Sequence, residues 1–203
     1  MNTNKLVVRI GLVAATMVVV VIAGLNHATR AQEATQPAST QPAHAMMWQS
    51  VTGAVCVLTP TEGSSVSGVV TFTEADGKVA VSADVTGLEP NSTHGIHIHE
   101  YGDISKSNGK GCGGHYNPQG NAHGLPGRSP IRHAGDLGNL TADEHGNAHY
   151  EIVVDNITIA GLVNPIIGRG MIVHAGADDG GQPTGNAGAR LAQGVIGIAK
   201  AGP

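Results

Sequence analysis

The chain has 203 residues, with 2% aromatic and 13% charged residues, 30 Gly and 11 His. That length suits one domain, or one domain with a tail, and the Val, Ile and Ala that dominate its apolar set suit short-stranded β structure. A formal net charge of −4 argues against a general nucleic-acid binder.

The amino terminus reads as a targeting segment. Lys5 and Arg9 lead into Ile10–Leu25, an apolar run whose one polar member is Thr16. With Ala28 and Ala31 as small residues at a cleavage point, residues 1–31 fit a secretory signal peptide, which implies export to a periplasm or the extracellular space. An uncleaved membrane anchor is the alternative, although the run is short against the about 20 residues of a span. Cleavage removes Lys5, Arg9 and Arg30 from the 11 bases and leaves 8 against 15 acids, a net charge of −7. Residues 32–48, rich in Ala, Gln, Thr and Pro, have no apolar period and read as a flexible linker. His44, Met46 and Met47 there offer soft metal donors, but read most simply as incidental to a linker.

Residues 49–203 form the domain. Ser50–Leu58, Val66–Thr73 and Lys78–Val85 read as strands, and Asp76-Gly77 is a hairpin signal. Ala148–Val154, Met171–His174 and Ala189–Lys200 read as later ones. Short strands without a useful helical period indicate a sandwich or barrel.

The stretch around which the domain is organised is His94-Gly95-Ile96-His97-Ile98-His99. Side chains alternate faces along a strand, so His97 and His99 share one face while Ile96 and Ile98 anchor the other. A long irregular segment follows, from Gly102 to about Arg132, with seven glycines and three prolines by residues 109–130. A loop so poor in apolar residues needs another tie, and metal coordination supplies one. Its donors are His115, His123, His133 and Asp136, a good tetrahedral set for zinc. Solvated loop histidines are the plain alternative for that cluster.

Five motifs then occur in order: His94-Gly95-Ile96-His97-Ile98-His99-Glu100, Gly114-His115-Tyr116-Asn117-Pro118, His133-Ala134-Gly135-Asp136-Leu137-Gly138-Asn139, Val173-His174 and Gly185-Asn186-Ala187-Gly188-Ala189-Arg190-Leu191. Together they resemble copper/zinc superoxide dismutase over about residues 50–200. The resemblance implies an all-β fold, an eight-stranded Greek-key β-barrel of immunoglobulin-like sandwich type with long metal-binding loops. It implies copper ligands His97, His99, His115 and His174, and zinc ligands His115, His123, His133 and Asp136, with His115 bridging the two cations. Asp178 matches the carboxylate that joins a copper-ligand histidine to a zinc-ligand histidine, here His97 and His123. His94 matches a histidine that braces the copper site. Arg190 matches the guanidinium that receives superoxide, and His115 and Arg190 are the catalytic pair. Imidazole suits both Cu(II) and Zn2+; copper changes oxidation state and zinc does not. The implied activity is therefore dismutation of superoxide to oxygen and hydrogen peroxide, an antioxidant defence outside the cytoplasm.

The departures from the family matter as much. The family bonds a loop cysteine to one in the last strand, where this chain has Gln193. Cys112 lies three residues before His115 rather than the usual six, so that bond cannot form. Export and an even cysteine count favour pairing, which leaves a relocated Cys56–Cys112 bridge and two free thiols both open. Between His174 and Arg190 there is no Lys or Arg, which leaves steering of superoxide mainly to Arg190 and the metals. Ile166-Ile167-Gly168-Arg169 and Gly102 match segments that pair two barrels in the eukaryote-like homodimer. A metal carrier, the rival function, would have no use for Arg190. Membrane association is expected only if the amino-terminal segment is retained.

Overall fold

Lys78–Thr86 shows how the sequence pattern becomes structure. Val79, Val81, Ala83 and Val85 are buried, while Lys78, Ala80, Asp84 and Thr86 are exposed. Burying one such valine is worth about 1.5–3 kcal/mol, against ~0.2–1 kcal/mol for a cross-strand pair. The choice of face therefore sets the register, and pairing follows. Asp76 and Gly77 both adopt positive φ, 52° and 71°, as a two-residue hairpin turn requires. They place Ala75 opposite Lys78.

The structure is a computed structural model that describes residues 50–200; the expected signal segment 1–31 and linker 32–48 lie outside the described residues. The strands are β1 (Gly53–Pro60), β2 (Ser67–Ala75), β3 (Lys78–Thr86), β4 (Thr93–His99), β5 (Asp136–Thr141), β6 (Ala148–Val154), β7 (Gly170–His174), β8 (Arg190–Val195) and β9 (Gly197–Ile198). They pair antiparallel in the order β5-β4-β7-β8-β1-β2-β3-β6, with β9 added beside β1. β5 and β6, at the two ends of that order, are consecutive in the chain and approach each other. The result is the expected Greek-key barrel, nearly closed. Among the described residues, no helix is long and apolar enough to cross a membrane.

Two strand expectations need correction. The sequence pattern does not predict β5 as a strand, because its residues, Asp-Leu-Gly-Asn-Leu-Thr, read as a continuation of the metal motif; pairing with β4 makes it one. The last run divides into β8 and β9. Ile196 leaves the ladder because its N–H donates to Arg169 O (2.9 Å) and its carbonyl accepts from Gly168 N (2.8 Å).

β4 is buried along six consecutive residues, His94 to His99. Ile96 and Ile98 join the core with Phe72, Leu137, Leu140 and Met171. His97 and His99 lie on the opposite face, under the loops. The long segment does thread back over this face with little regular structure, a single 3₁₀ turn at Lys110–Cys112. Tyr116 N donates to Ile98 O (2.9 Å), Gly135 N to Tyr116 O (2.9 Å), and Ile98 N to Gly135 O (2.9 Å). A Cβ at Gly135 would stand 2.1 Å from Ile98 O, so only glycine permits this approach.

Candidate metal centre

Two groups of donors form where these loops cross β4, and His115 belongs to both. In one, His97, His99, His115 and His174 bring ligand atoms within 4.8 Å of one another. In the other, His115, His123, His133 and Asp136 do the same. All seven residues are buried.

Hydrogen bonds at the rim decide which nitrogen of each ring faces inward. His97 Nε2–H donates to Asp178 Oδ2 (2.8 Å), which leaves Nδ1 buried and without a partner. His99 Nδ1 is committed to Gly113 O (3.1 Å) and His174 Nδ1 to Gly188 O (3.3 Å); their Nε2 atoms face each other at 3.4 Å. An outer N–H held by an oxygen fixes the inner nitrogen as a lone-pair donor, the usual support for a metal-binding imidazole.

In the second group the Nδ1 atoms of His115, His123 and His133 lie 2.9, 3.0 and 3.2 Å from Asp136 Oδ1. His115 Nδ1 and His133 Nδ1 are 3.4 Å apart. Ligands about 2.0 Å from a tetrahedral zinc are ~3.3 Å from each other, so the spacing fits that ion. Asp136 Oδ2 accepts from Gly124 N and His133 N, both at 3.0 Å, which aims Oδ1 inward. With Nδ1 given to this group, His115 has only Nε2 left for the other.

Asp178 connects the groups from outside. Its Oδ2 holds His97 Nε2 and its Oδ1 holds His123 Nε2 (2.9 Å). Asn139 in turn grips Asp178, accepting from Asp178 N (2.7 Å) and donating to Asp178 O (2.9 Å). Gln182 clamps the His123 backbone in the same two-way manner. Sequence reasoning missed both roles. Asn139 closes the His133–Asn139 motif, which is its signal in the sequence; Gln182 has none. His94 sits behind the first group, with Nδ1 on His174 O (2.8 Å) and Nε2 on Ser92 Oγ (2.6 Å).

Burial sets the electrostatics. It lowers His97 to about 4 against a weaker pull from Asp178. It lowers His174 to about 3, with His97 adding to the effect. Burial, with His115 and Arg190 beside it, also holds His99 well down, and it lowers His133. These rings are neutral at neutral pH, as ligands must be. His123 differs: burial opposes its charge, but bonds to Asp136 and Asp178 outweigh it and raise it to about 9. Burial resists ionisation of Asp136 and Asp178, yet their histidine partners hold both well below the usual carboxylate range.

Arg190 reaches the site through an irregularity. Val173 pairs with Ala192 and His174 with Arg190, so Leu191 is an extra residue in β8. A bulge re-aims a side chain; this one turns Arg190 to the outer face, the face of Gln193. Arg190 Nη1 donates to Gly109 O (2.5 Å) and Nη2 to Gly113 O (2.6 Å). It lines a surface depression of about 680 Å³ with Glu62, Asn108, Lys110, Gly113, Gly188 and Ala189. Lys110 therefore adds a cation to the opening from the loop between β4 and β5.

Cys56 and Cys112 are not brought together. Both are buried free thiols. Cys56 Sγ lies against Gly194 and belongs to the core, while Cys112 Sγ lies against Gly170 and does not. Gly170 pairs with Val195 and Gly194 with Met171, so the two glycines face opposite sides of the β7–β8 sheet. The sheet separates the sulfurs, and of the two alternatives the structure has the free thiols.

A family model described as copper/zinc superoxide dismutase matches residues 66–196. The chain belongs to the copper/zinc superoxide dismutase family. It is 46% identical over 158 residues to a superoxide dismutase [Cu-Zn] of Paramecium bursaria Chlorella virus 1, covering 74% of this chain and 82% of the relative. It is 46% identical over 148 residues to one from Schizosaccharomyces pombe, covering 67% and 92%. A crystal structure of the clock protein EA4 is similar with a TM-score of 0.65 at 41% identity, covering 73% of this chain and 95% of that one. Copper and zinc are the cofactors of this family, and the donor sets described above fit both ions.

Proposed function

We propose that this dismutase converts superoxide to oxygen and hydrogen peroxide where its two donor groups share His115. The observation that carries the reading is the membership of His115 in both donor groups. His97, His99, His115 and His174 would hold copper; His115, His123, His133 and Asp136 would hold zinc. When bound, copper supplies a one-electron redox couple, and zinc supplies fixed positive charge without redox chemistry. Nδ1 of His115 stays committed to the Asp136 group, so Nε2 is the atom that takes up a proton and later releases it to product. Arg190, held as a fork by two carbonyls, presents a permanent cation to the small anion. Asp178 keeps His97 and His123 turned inward.

The test is metal content and superoxide loss on the full chain. About one copper and one zinc per chain, with rapid superoxide loss that His115→Gln abolishes, is the expected result. Tight metal without turnover would instead favour a metal carrier.

Export and pairing complete the proposal. Lys5, Arg9 and the Ile10–Leu25 run support secretion, which amino-terminal sequencing of the fractionated protein tests; retention of residues 1–31 would mean membrane attachment. Gly102 lies against Gly168, since a Cβ on it would come within 2.4 Å of Gly168 O, and Tyr101, Ile104 and Val195 leave apolar surface exposed around this contact. That surface supports a homodimer. Sedimentation should show a dimer, and a monomer at micromolar concentration would refute it.

A further inference from the structure

The loop that carries the carbonyls of Gly109 and Gly113 has no covalent tie to the barrel, yet it decides where Arg190 points. Its own apolar contribution is small, and its one regular element is the Lys110–Cys112 turn. Cys112 makes no bridge; its thiol packs on Gly170 of β7 and lies 3.6 Å from Asp103 O. Glu62 gives two links at the exposed rim, from its N–H to Ser107 O (2.8 Å) and from Ser107 Oγ to its carboxylate (2.9 Å).

The far end of the loop is held from the end of β4, by His99 Nδ1 on Gly113 O (3.1 Å) and by Tyr101 N donating to Cys112 O (3.0 Å). The buried link at its near end, residues 104–106, comes from Gln193 in β8. Its Nε2 donates to Lys106 O (3.1 Å) and lies 3.5 Å from Ile104 O. Its Oε1 is buried without a partner. An unsatisfied buried amide oxygen costs stability, and an apolar side chain of the same size would avoid that cost. Gln193 is therefore not explained by packing; its donor is what the site uses. The bulge at Leu191 puts Gln193 and Arg190 on one face, so one end of the loop is pinned by the amide and the next stretch grips the guanidinium. The grip is close: a Cβ at Gly109 would be 3.0 Å from Arg190 Cδ.

We propose that Gln193 is a positioning residue for the dismutase reaction: it fastens residues 104–106 to β8 non-covalently, and so, through the bond of Gly109 N to Lys106 O (3.0 Å), holds the Gly109 carbonyl that orients Arg190. Here the connection is independent of thiol oxidation. The proposal rests on the dismutase reading only for the role of Arg190; attachment of the loop is read separately.

The experiment is Gln193→Met in the metal-loaded full chain, with amide hydrogen exchange across residues 103–113, melting temperature, and the ionic-strength dependence of kcat/KM. Loss of the donor should speed exchange in that segment about tenfold, leave the melting temperature unlowered, and flatten the salt dependence toward that of Arg190→Ala. A phosphine reductant should leave exchange in the unsubstituted chain unchanged. If Gln193→Met does not fold, Gln193→Glu, which keeps the shape and loses the donor, replaces it with the same expectations for exchange and salt dependence. Wild-type exchange in the variant, or loosening of the wild-type loop by reductant, overturns the attachment. Faster exchange with wild-type kinetics and salt dependence overturns the positioning role.

Discussion

Arg190 stands opposite His174 across the β7–β8 pair, at the point where Leu191 shifts the register. One strand thus delivers the cation and its neighbour delivers an imidazole. Arg190 is half-buried, with both terminal nitrogens used by carbonyls. Arg190→Ala should lower kcat/KM by roughly tenfold or more and weaken its ionic-strength dependence. Arg190→Lys should recover part of the rate, because an ammonium keeps the charge but cannot span both carbonyls as a planar fork does. Stopped-flow superoxide decay over a salt series measures both, and an unchanged salt slope in Arg190→Ala would contradict the role.

Lys110 supplies the other cation at the opening. It is exposed, so its influence acts through the field rather than through contact. Lys110→Glu should slow the enzyme most at low ionic strength, with the difference shrinking at ~0.15 M salt, where the screening length is about 8 Å. Equal rates for the two proteins at low salt would remove Lys110 from the account.

Asp178 links His97 and His123 through separate oxygens. Asp178→Ala should free both rings and weaken metal retention by roughly 10–100-fold, seen as faster loss to a chelator. Both donor groups should be affected, because the carboxylate serves one ring of each. Loss confined to one metal would show that the connection is not used as drawn.

The metal-free protein should lose stability in acid. His97 and His174 sit at about 4 and about 3 when folded, and His99 and His133 are also lowered. The unfolded chain takes up these protons near 6.5, so the contribution of these rings is present above that pH and is lost on descent toward 4. Asp136 and Asp178, both depressed, extend the loss below the ordinary carboxylate range of about 4. His123 runs the other way: raised to about 9, it contributes fully below ~6.5 and loses its contribution as pH rises through 9. Urea midpoints of the metal-free protein should therefore fall steadily from pH 7 to pH 4. A flat profile would show that these rings are not buried as described.

Much of the site could be read from residue types alone, because metal ligands must be His, Cys or carboxylate and the β4 alternation chose their face. Every ligand named from the sequence falls in one of the two donor groups. What stayed hidden depends on register. β5 has too little apolar alternation to announce itself before β4 is there to pair with it. Strict alternation would place Arg190 and Gln193 on opposite faces, and only the extra residue at Leu191 reverses this. The separation of Cys56 from Cys112 likewise follows from which glycine each sulfur covers, a matter of pairing that no cysteine count contains. Gln182 and Lys110 act from loops whose path is set by hydrogen bonds to distant backbone.

β4 presents isoleucines to the barrel interior and imidazoles to the loops, with no exposed residue from His94 to His99. Because side chains alternate with a period of two, an insertion of one residue here would exchange the two sets at a stroke. The same lesion would thrust rings into the oily centre and withdraw two of the four donors in the group of His97, His99, His115 and His174. Protein folding and enzyme maturation thus share a single point of failure in this segment, and such a lesion has no mild form.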